Sequence, residues 1–374
     1  MTSNNLETTV KNYPNSTSSN QLLINLSFII NKPTGITNYA TNLFPHLQPL
    51  NPTLLTSQTI ANYNCYPVPP NLTPTHGTKG HFRRLLWTQQ QLPRIYHHSL
   101  SRLLFSPIPE APLFSNCRYI VTVHDLIPLR FPKHFSPLTP YHRHYIPQVL
   151  AQAQHILCNS LATASDITQF FNISPSKITP ILLAHDADHF RFLNLPTRNY
   201  FLYIGRHDPH KNLQRLIAAF AALPSCRDYE LWLAGTPDRR YTPTLKADLE
   251  QLGITNQVKF LDYVPYNQLP TLINSAIALV FPSLWEGFGF PVLEAMACGT
   301  PVITSNLASL PEVAGEAALL VNPYNVGEIA EAMQTIADSS TLRSQMRTLG
   351  LTRASCFSWA KIGQATVEVL SRYV

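Results

Sequence analysis

The sequence has few of the features that mark secreted, membrane-spanning or zinc-binding proteins. Its six cysteines are scattered and form no Cys-x-x-Cys pair, so neither a zinc site nor a disulfide framework is indicated. Its apolar runs stay short of the roughly 18 residues that a membrane-spanning helix needs. No Gly-x-Gly-x-x-Gly follows a candidate strand, which argues against a nicotinamide dehydrogenase. No zinc-finger, RNP-like or helix-turn-helix signature supports nucleic-acid binding. We therefore expect a globular cytoplasmic protein without a nucleic-acid partner.

Charged residues are also sparse, at 13% of the 374 residues, and they are unevenly placed. Residues 1–190 carry 12 Lys and Arg against 6 Asp and Glu, whereas residues 191–374 carry 15 of each, so the net charge of +6 lies in the first half. From Lys79 to Arg143 there are nine cations and two carboxylates. A basic surface of this kind attracts polyanions, and we expect an anionic membrane surface, with peripheral attachment to its inner face. An ordinary basic face is the alternative.

The chain is long enough for two domains of ordinary size. Apolar runs alternate with amphipathic stretches, which predicts an α/β fold with parallel sheets. Residues 48–118 are rich in proline, and we expect them to be irregular. Strands are predicted at 22–30, 119–123, 155–158, 200–204, 229–234, 257–261, 277–281 and 300–304, and helices at 36–46, 141–153, 162–171 and 359–373. The predicted division is a disordered tail (1–20), a first domain (21–192), a linker (193–199), a second domain (200–356) and a final segment (357–374).

The segment from Ile277 to Gly299 carries the strongest functional pattern. A buried strand is predicted to lead into Gly287-Phe288-Gly289, and a helix follows from Pro291 to Ala297. Glycines there let the backbone approach a ligand, and the N–H groups at the start of the helix suit an anion such as a phosphate. Glu286 lies before this anion site and Glu294 within the helix, where a carboxylate can accept hydrogen bonds from sugar hydroxyls. The pattern favours a sugar nucleotide over two merely solvated glutamates.

A second segment, Tyr200 to Asn212, has matching chemistry. A strand is predicted to end at Gly205, and a short polar loop with Arg206 and Lys211 precedes an amphipathic helix. Two cations at the carboxyl end of a strand can balance the charge that develops on a diphosphate leaving group. The alternative is two surface cations whose stems lie on apolar neighbours.

Together the two segments resemble the retaining glycosyltransferases of family 4, and the resemblance is strongest from about residue 200 onward. Val121-Thr-Val-His-Asp-Leu-Ile-Pro128 and Phe357-Ser-Trp359 also resemble the mannosyltransferase-B-like branch. The resemblance implies a GT-B fold, in which two Rossmann-like domains face each other across a cleft. The first domain (21–192) would lie on the acceptor side, the second (200–356) would bind the nucleotide sugar, and the C-terminal helix would cross back to the first domain. The resemblance also implies a retaining transfer of a hexose, with mannose as the first candidate, from a nucleotide-diphosphate sugar to a glycan or lipid-linked acceptor.

The resemblance assigns roles to residues as well. Arg206, Lys211 and the helix N-terminus near Gly289 would stabilise the departing phosphate, which takes the proton of the acceptor hydroxyl. Glu286 would contact the sugar ring and Glu294 the ribose. Apart from the resemblance, we recognise no Asp-x-Asp metal motif and therefore expect no divalent metal or other cofactor. His124 would hydrogen-bond the donor sugar, and Leu261-Asp-Tyr-Val264, with Tyr263, would select the nucleobase. The remaining expected donor contacts are Gly35, Gly205, Gly287 and Phe288.

Three alternatives stay open. Gly35 lacks the second glycine that the family usually places two residues later, so its segment also fits a simple β-to-α turn. Asp125 is better explained as a turn residue than as a ligand contact, and we interpret Glu312 as structural. At the level of function, a sugar-nucleotide epimerase or phosphorylase on the same fold, or a non-catalytic nucleotide- or glycan-binding relative, would share much of this pattern.

Overall fold

The fold is taken from a computed structural model, which describes residues 21–30, 35–132 and 138–374. The tail predicted at 1–20 and most of the loop before Gly35 lie outside the described residues. The first half forms a seven-stranded parallel sheet in the order β3-β2-β1-β4-β5-β6-β7, which is a doubly wound Rossmann arrangement. Its strands are β1 (Leu22–Asn25), β2 (Thr53–Thr56), β3 (Asn64–Pro67), β4 (Leu103–Ser106), β5 (Tyr119–Val123), β6 (His155–Cys158) and β7 (Ile178–Pro180).

Helices cover both faces of this sheet. They are α1 (Gly35–Leu43), α2 (Gly77–Gln90), α3 (Leu92–His98), α4 (Ile127–Arg130), α5 (Leu138–Pro140), α6 (Ile146–Gln152) and α7 (Leu161–Phe171), with a 3-10 helix at Phe44–Leu50 and a π turn at Tyr141–Tyr145. Leu22 and Ile24 of β1 belong to one buried cluster and Leu23 to the other, so β1 is packed on both sides. Burial on both faces produces the continuous apolar runs from which most strands were predicted.

The second half forms a six-stranded parallel sheet in the order β10-β9-β8-β11-β12-β13. Its strands are β8 (Tyr200–Ile204), β9 (Glu230–Ala234), β10 (Val258–Asp262), β11 (Ala278–Phe281), β12 (Val302–Ser305) and β13 (Leu319–Val321). Its helices are α8 (Leu213–Ala221), α9 (Thr242–Leu252), α10 (Leu269–Asn274), α11 (Phe290–Ala297), α12 (Leu310–Ala314), α13 (Val326–Asp338), α14 (Ser340–Ser355) and α15 (Trp359–Ser371). The two sheets confirm the predicted α/β fold with two Rossmann-like domains.

Three local predictions were wrong. Residues 48–118 are not irregular, because they contain β2, β3, β4, α2 and α3; these strands are only four residues long, too short for a clear periodicity. The first strand ends at Asn25 rather than residue 30, since the Asn25 side chain accepts hydrogen bonds from the N–H and hydroxyl of Ser27 and turns the chain. The three-residue strand β13 was missed for its brevity.

The final helix, α15, packs on the first domain, as the GT-B architecture predicts. A Cβ added to Gly363 would lie 2.1 Å from Cβ of His46, so the helix lies directly against the 3-10 helix after α1. The rings of Trp359 and Tyr39 are 6.4 Å apart, and the hydroxyl of Tyr373 lies 3.1 Å from Nδ1 of His155. The chain therefore begins and ends its described fold on the same domain.

The close contact at Gly363 gives a direct stability test. Gly363→Ala should lower the melting temperature, because overpacking against His46 costs about 1–3 kcal/mol and exceeds the gain in helix propensity. Gly350→Ala in α14 is the matched control, since its new methyl would meet Met296 at an ordinary 3.4 Å. The control should melt at or above the wild-type temperature, since alanine is favoured over glycine by about 1 kcal/mol in a helix. Equal shifts in thermal unfolding for the two variants would contradict this packing of α15.

Candidate active site

The loop at the carboxyl end of β8, residues 205–212, contains both predicted cations and is called here the cation loop. Gly205 ends the strand, a 3-10 turn covers Pro209–Lys211, and Asn212 adopts the left-handed conformation before α8 begins. The Asn212 side-chain amide donates to the carbonyls of Pro282 and Pro323, at 3.0 and 2.7 Å. These bonds hold the cation loop against the loops that follow β11 and β13.

The two cations of this loop face different surroundings. Nζ of Lys211 lies 2.6 Å from Oε1 of Glu286, and their side chains are 16% and 10% exposed. Arg206 is 69% exposed, with Nε 3.3 Å from Oδ2 of Asp208. The structure therefore joins Lys211 to one of the two predicted glutamates and leaves Arg206 at the mouth of the site.

The loop after β11, residues 282–289, is called the glycine loop. The Ser309 hydroxyl lies within hydrogen-bond distance of the carbonyls of Glu286 and Phe288, at 3.0 and 2.8 Å. Gly289 has a φ of 111° and begins α11, a conformation that favours glycine. The ring of Phe288 is buried 5.2 Å from that of Phe290, so Phe288 would contribute its backbone rather than its ring to a ligand. Ser309 carries no local sequence signal and was missed.

His124 occupies the opposite side of the site, at the end of β5. Its Nε2 lies 2.8 Å from the carbonyl of Pro107, which can only accept, so the proton is on Nε2. Burial lowers the pKa of His124, which favours the neutral ring. The edge of Tyr39 packs against it with the ring centroids 4.8 Å apart. A neutral ring in this tautomer offers Nδ1 as a hydrogen-bond acceptor.

The glycine loop touches the first domain directly. A Cβ added to Gly287 would lie 2.1 Å from the carbonyl oxygen of His124, so only glycine fits there. The Ser160 hydroxyl donates to the carbonyl of Gly287 at 2.7 Å, and the guanidinium carbon of Arg130 lies 3.4 Å from the ring centre of Trp285. A Cβ on Gly35 would lie 3.7 Å from the Phe290 ring, which places this predicted contact at the start of α11. His124, Gly287 and Gly35 thus border one cleft.

Glu312 forms a further bridge between the domains. Its two carboxylate oxygens accept hydrogen bonds from the backbone N–H groups of Leu161 and Ala162, each at 2.8 Å. These are the first N–H groups of α7, where a carboxylate also stabilises the positive end of the helix dipole. This geometry agrees with the structural interpretation of Glu312.

Glu294, in α11, lies near the carboxylate of Asp186. Burial, with a smaller contribution from the Asp186 carboxylate, raises the pKa of Glu294 to about 8. Asp186 accepts a 3.3 Å hydrogen bond from the Tyr266 hydroxyl, and the Tyr266 ring stacks on His189 at 3.9 Å. The metal-free expectation rested on the absence of an Asp-x-Asp pair, and that premise was wrong, because Asp186 and Asp188 form one. Within the described part of the chain, no three His, Cys, Asp or Glu residues gather in a way that could hold a metal ion.

Tyr263 is 56% exposed and follows Asp262, which has a left-handed φ of 49°. Glycine adopts this left-handed conformation more readily than aspartate does. Tyr263 lines a cavity of about 670 Å³ that extends along α10 to Tyr200, at the amino end of β8. The role of Tyr263 in selecting the nucleobase stays a prediction.

Comparison with known proteins agrees with this arrangement. A model of the glycosyl transferases group 1 matches residues 185–351, and a model of glycosyltransferase family 4 matches residues 35–189. O-antigen chain mannosyltransferase B of Escherichia coli is 34% identical over 267 residues, which is 67% of this chain and 69% of that protein. O-antigen chain mannosyltransferase RfbU of Salmonella typhimurium is 27% identical over 334 residues, 84% and 90% of the two chains. Anabaena Alr3699/HepE, solved in complex with UDP-glucose, has the same fold, with a TM-score of 0.73, 18% identity and coverage of 94% and 99%.

Glu294→Gln should remove a pH-dependent loss of stability. Folded Glu294 keeps its proton up to a pKa of about 8, whereas the unfolded chain releases it near the ordinary value of 4.5. Because the folded state binds more protons between these values, the wild-type free energy of unfolding falls as the pH rises through this window. The variant should therefore melt above the wild type at about pH 8.5 and close to it at about pH 5.

Thermal melting across this pH range is the measurement, with Glu250→Gln, at an exposed glutamate of α9, as the control. The control should follow the wild-type profile. Parallel profiles for Glu294→Gln and the wild type would show that the carboxyl titrates alike in the folded and unfolded chains, which would refute the raised pKa of Glu294.

Proposed function

We propose a specific reaction for this chain, which belongs to the group 1, family 4 glycosyltransferases of GT-B fold and, within them, to the mannosyltransferase branch. It is a hexosyltransferase, and the reaction is transfer of a hexose, with mannose as the first candidate, from a nucleotide-diphosphate sugar to a glycan or lipid-linked acceptor with retention of configuration. The names of the mannosyltransferase relatives support the sugar, and the UDP-glucose bound by HepE supports a nucleotide-sugar donor. The observation that carries the proposal is the Lys211–Glu286 pair beside the N-terminus of α11.

The donor diphosphate would bind between the cation loop and the start of α11. Its oxygens would compete with Glu286 for Nζ of Lys211, and Arg206 would close on it from the exposed side. Glu286, released from Lys211, would then accept a hydrogen bond from one hydroxyl of the donor sugar. Nδ1 of His124 would accept a hydrogen bond from a second hydroxyl on the opposite face of the sugar. As the glycosidic bond breaks, Lys211, Arg206 and the helix dipole would stabilise the charge that develops on the leaving phosphate.

The proton of the attacking hydroxyl would pass to the leaving phosphate, so the first domain need not supply a base or a nucleophile. Glu110, on the first-domain side, is bound by Arg84 with two hydrogen bonds and so is unavailable as a nucleophile. A double displacement needs a free carboxylate beside the anomeric carbon. We also propose that Arg206 and Lys211 make a divalent cation unnecessary.

The outer face of α2 supports attachment to an anionic membrane. Lys79 and Arg83 are exposed there beside Phe82 and Leu86, which are 60% and 43% exposed. Spacings of three and four residues put all four side chains on one stripe of the helix. A stripe of apolar and cationic side chains suits a helix that lies in the lipid interface. Among the helices the structure describes, none has the length and apolar character to span a membrane.

The donor assignment predicts that Lys211→Ala and Arg206→Ala each lower transfer by about 100-fold or more, the usual effect of losing one group that stabilises developing charge. The matched control is Lys259→Ala, because Lys259 also pairs with a glutamate, Glu230, at 2.8 Å but lies on β10. The assay uses GDP-, UDP- and ADP-hexoses with purified protein in excess EDTA. Unchanged turnover in both loop variants would remove the diphosphate assignment, and loss of wild-type activity in EDTA would refute the metal-free reaction.

The membrane assignment predicts that the protein co-sediments with vesicles containing phosphatidylglycerol and that binding falls as salt rises. Binding to phosphatidylcholine vesicles should be weak. Replacing Phe82 and Leu86 by serine should release the protein, whereas Leu349→Ser, at a leucine of α14 that is 48% exposed, should not. Equal sedimentation of the double variant and the control would exclude α2 as the attachment site.

A further inference from the structure

A cavity of about 350 Å³ opens beside His124 on the first domain and is called here the first-domain cavity. This volume is in the range of small-molecule sites. Because the carbonyl oxygen of His124 lies against the Cα of Gly287, the cavity lies next to the position proposed for the donor sugar. Its polar lining residues are Thr37, His81, Arg84, Glu110, His124, Asp125, Tyr141 and His142.

The one Lys or Arg among the lining residues that the structure describes is already neutralised. Arg84 binds Glu110 with two hydrogen bonds, from Nε at 2.7 Å and from Nη2 at 2.8 Å, and the side chains are 7% and 2% exposed. Nη1 of Arg84 donates to the carbonyl of Leu72 at 3.1 Å. A guanidinium with this much of its donor capacity used has little left for a phosphate, which normally needs a forked contact of its own. The Arg84–Glu110 pair instead forms a fixed part of the cavity lining.

Three histidines line the cavity, and two of them are held as neutral rings. Nδ1 of His81 lies 2.9 Å from Nη2 of Arg84, and since a guanidinium only donates, Nδ1 accepts and the proton is on Nε2. Burial lowers the pKa of His81, so the ring is an uncharged donor. His124 is also neutral, but its Nε2 is used by Pro107 and its Nδ1 is the acceptor proposed for the donor sugar. His81 is therefore the neutral donor that suits a hydroxyl of the acceptor sugar.

Asp125 is the second carboxylate of the lining. Its Oδ1 accepts from the N–H of Ile127 at 3.1 Å, which holds the turn after β5. None of the ion pairs found among the described residues includes Asp125. A carboxylate in this position accepts hydrogen bonds from hydroxyls and repels a phosphate dianion.

The resemblance implies that the acceptor binds on the first domain, and we infer that Asp125 makes the first-domain cavity selective for an uncharged pyranose by excluding phosphorylated sugars. The inference deepens the proposed function and rests on it. His81 and Asp125 contact the hydroxyls, whereas Glu110 is a positioning residue that holds Arg84 and, through a 3.3 Å bond, Tyr141. The site therefore selects by charge as well as by shape.

The test compares methyl α-mannoside with mannose 6-phosphate, by ligand-observed NMR titration of the full chain saturated with nucleotide. The wild type should bind the neutral glycoside at least about tenfold more tightly, a difference that corresponds to about 1.4 kcal/mol. Asp125→Asn keeps an oxygen for the N–H of Ile127 and removes only the charge, so it should strengthen binding of the phosphate by about tenfold. Asp248→Asn, which removes a charge from α9 of the second domain, should change neither constant.

Two further measurements complete the experiment. His81→Ala should weaken binding of the neutral glycoside while nucleotide binding stays unchanged. Wild-type preference for the phosphate, failure to bind the glycoside, or identical constants for Asp125→Asn and Asp248→Asn would overturn the inference. Nucleotide binding is measured separately to distinguish failure of the proposed function from failure of the inference. If no nucleotide binds, the proposed function is overturned as well. If a nucleotide binds, only the inference about the acceptor site is overturned.

Discussion

The arrangement of the cleft depends on a backbone contact between Gly287 and His124. The missing side chain of Gly287 lets the glycine loop of the second domain lie against the carbonyl of His124 in the first. The Ser160 hydroxyl binds the carbonyl of Gly287, and Glu312 binds the N-terminus of α7 immediately after Ser160. One helix start therefore holds both the loop proposed to face the donor sugar and the helix that follows β12. Separation of the domains would break all of these bonds, which couples the shape of the donor site to closure of the cleft.

Both sides of the cleft keep their charges in pairs. Lys211 is held by Glu286 on the second domain, and Arg84 by Glu110 on the first. A buried pair adds little net stability, but it holds its members in place and makes the loss of either one costly. The two pairs differ in access. Lys211 and Glu286 keep some exposure and could exchange partners with a diphosphate, whereas Arg84 and Glu110 are nearly inaccessible and have additional backbone or hydroxyl partners. The two pairs would therefore have different roles. Lys211–Glu286 would bind the donor diphosphate, and Arg84–Glu110 would shape the cavity without binding a charged ligand.

Much of the second domain could be predicted because its parallel strands are buried on both faces and appear as apolar runs, and because the cation and glycine loops are short local motifs. The first domain was harder. Its strands β2, β3 and β4 have four residues each, and the Arg84–Glu110 pair joins residues 26 positions apart without a local pattern. Asp186 was missed for the same reason, since only the fold brings the segment after β7 to the side of Glu294. Motifs within one loop are visible in a sequence, whereas contacts between distant segments are not.

In the first domain, exposed Lys and Arg side chains lie on the outer surface, whereas Arg84, the arginine that lines the cavity, is paired with Glu110. Of the nine cations between Lys79 and Arg143, Arg84 and Arg130 are used in ion pairs with Glu110 and Asp166. Six others are exposed: Lys79, Arg83, Arg94, Arg102, Arg118 and Arg143. If the acceptor is a lipid-linked saccharide, its anionic membrane surroundings would meet the exposed cations while its uncharged sugar enters the first-domain cavity beside Asp125. The positive charge of the first half would then attract the membrane that carries the acceptor. The acceptor sugar itself would be recognised by hydrogen bonds and not by a cation.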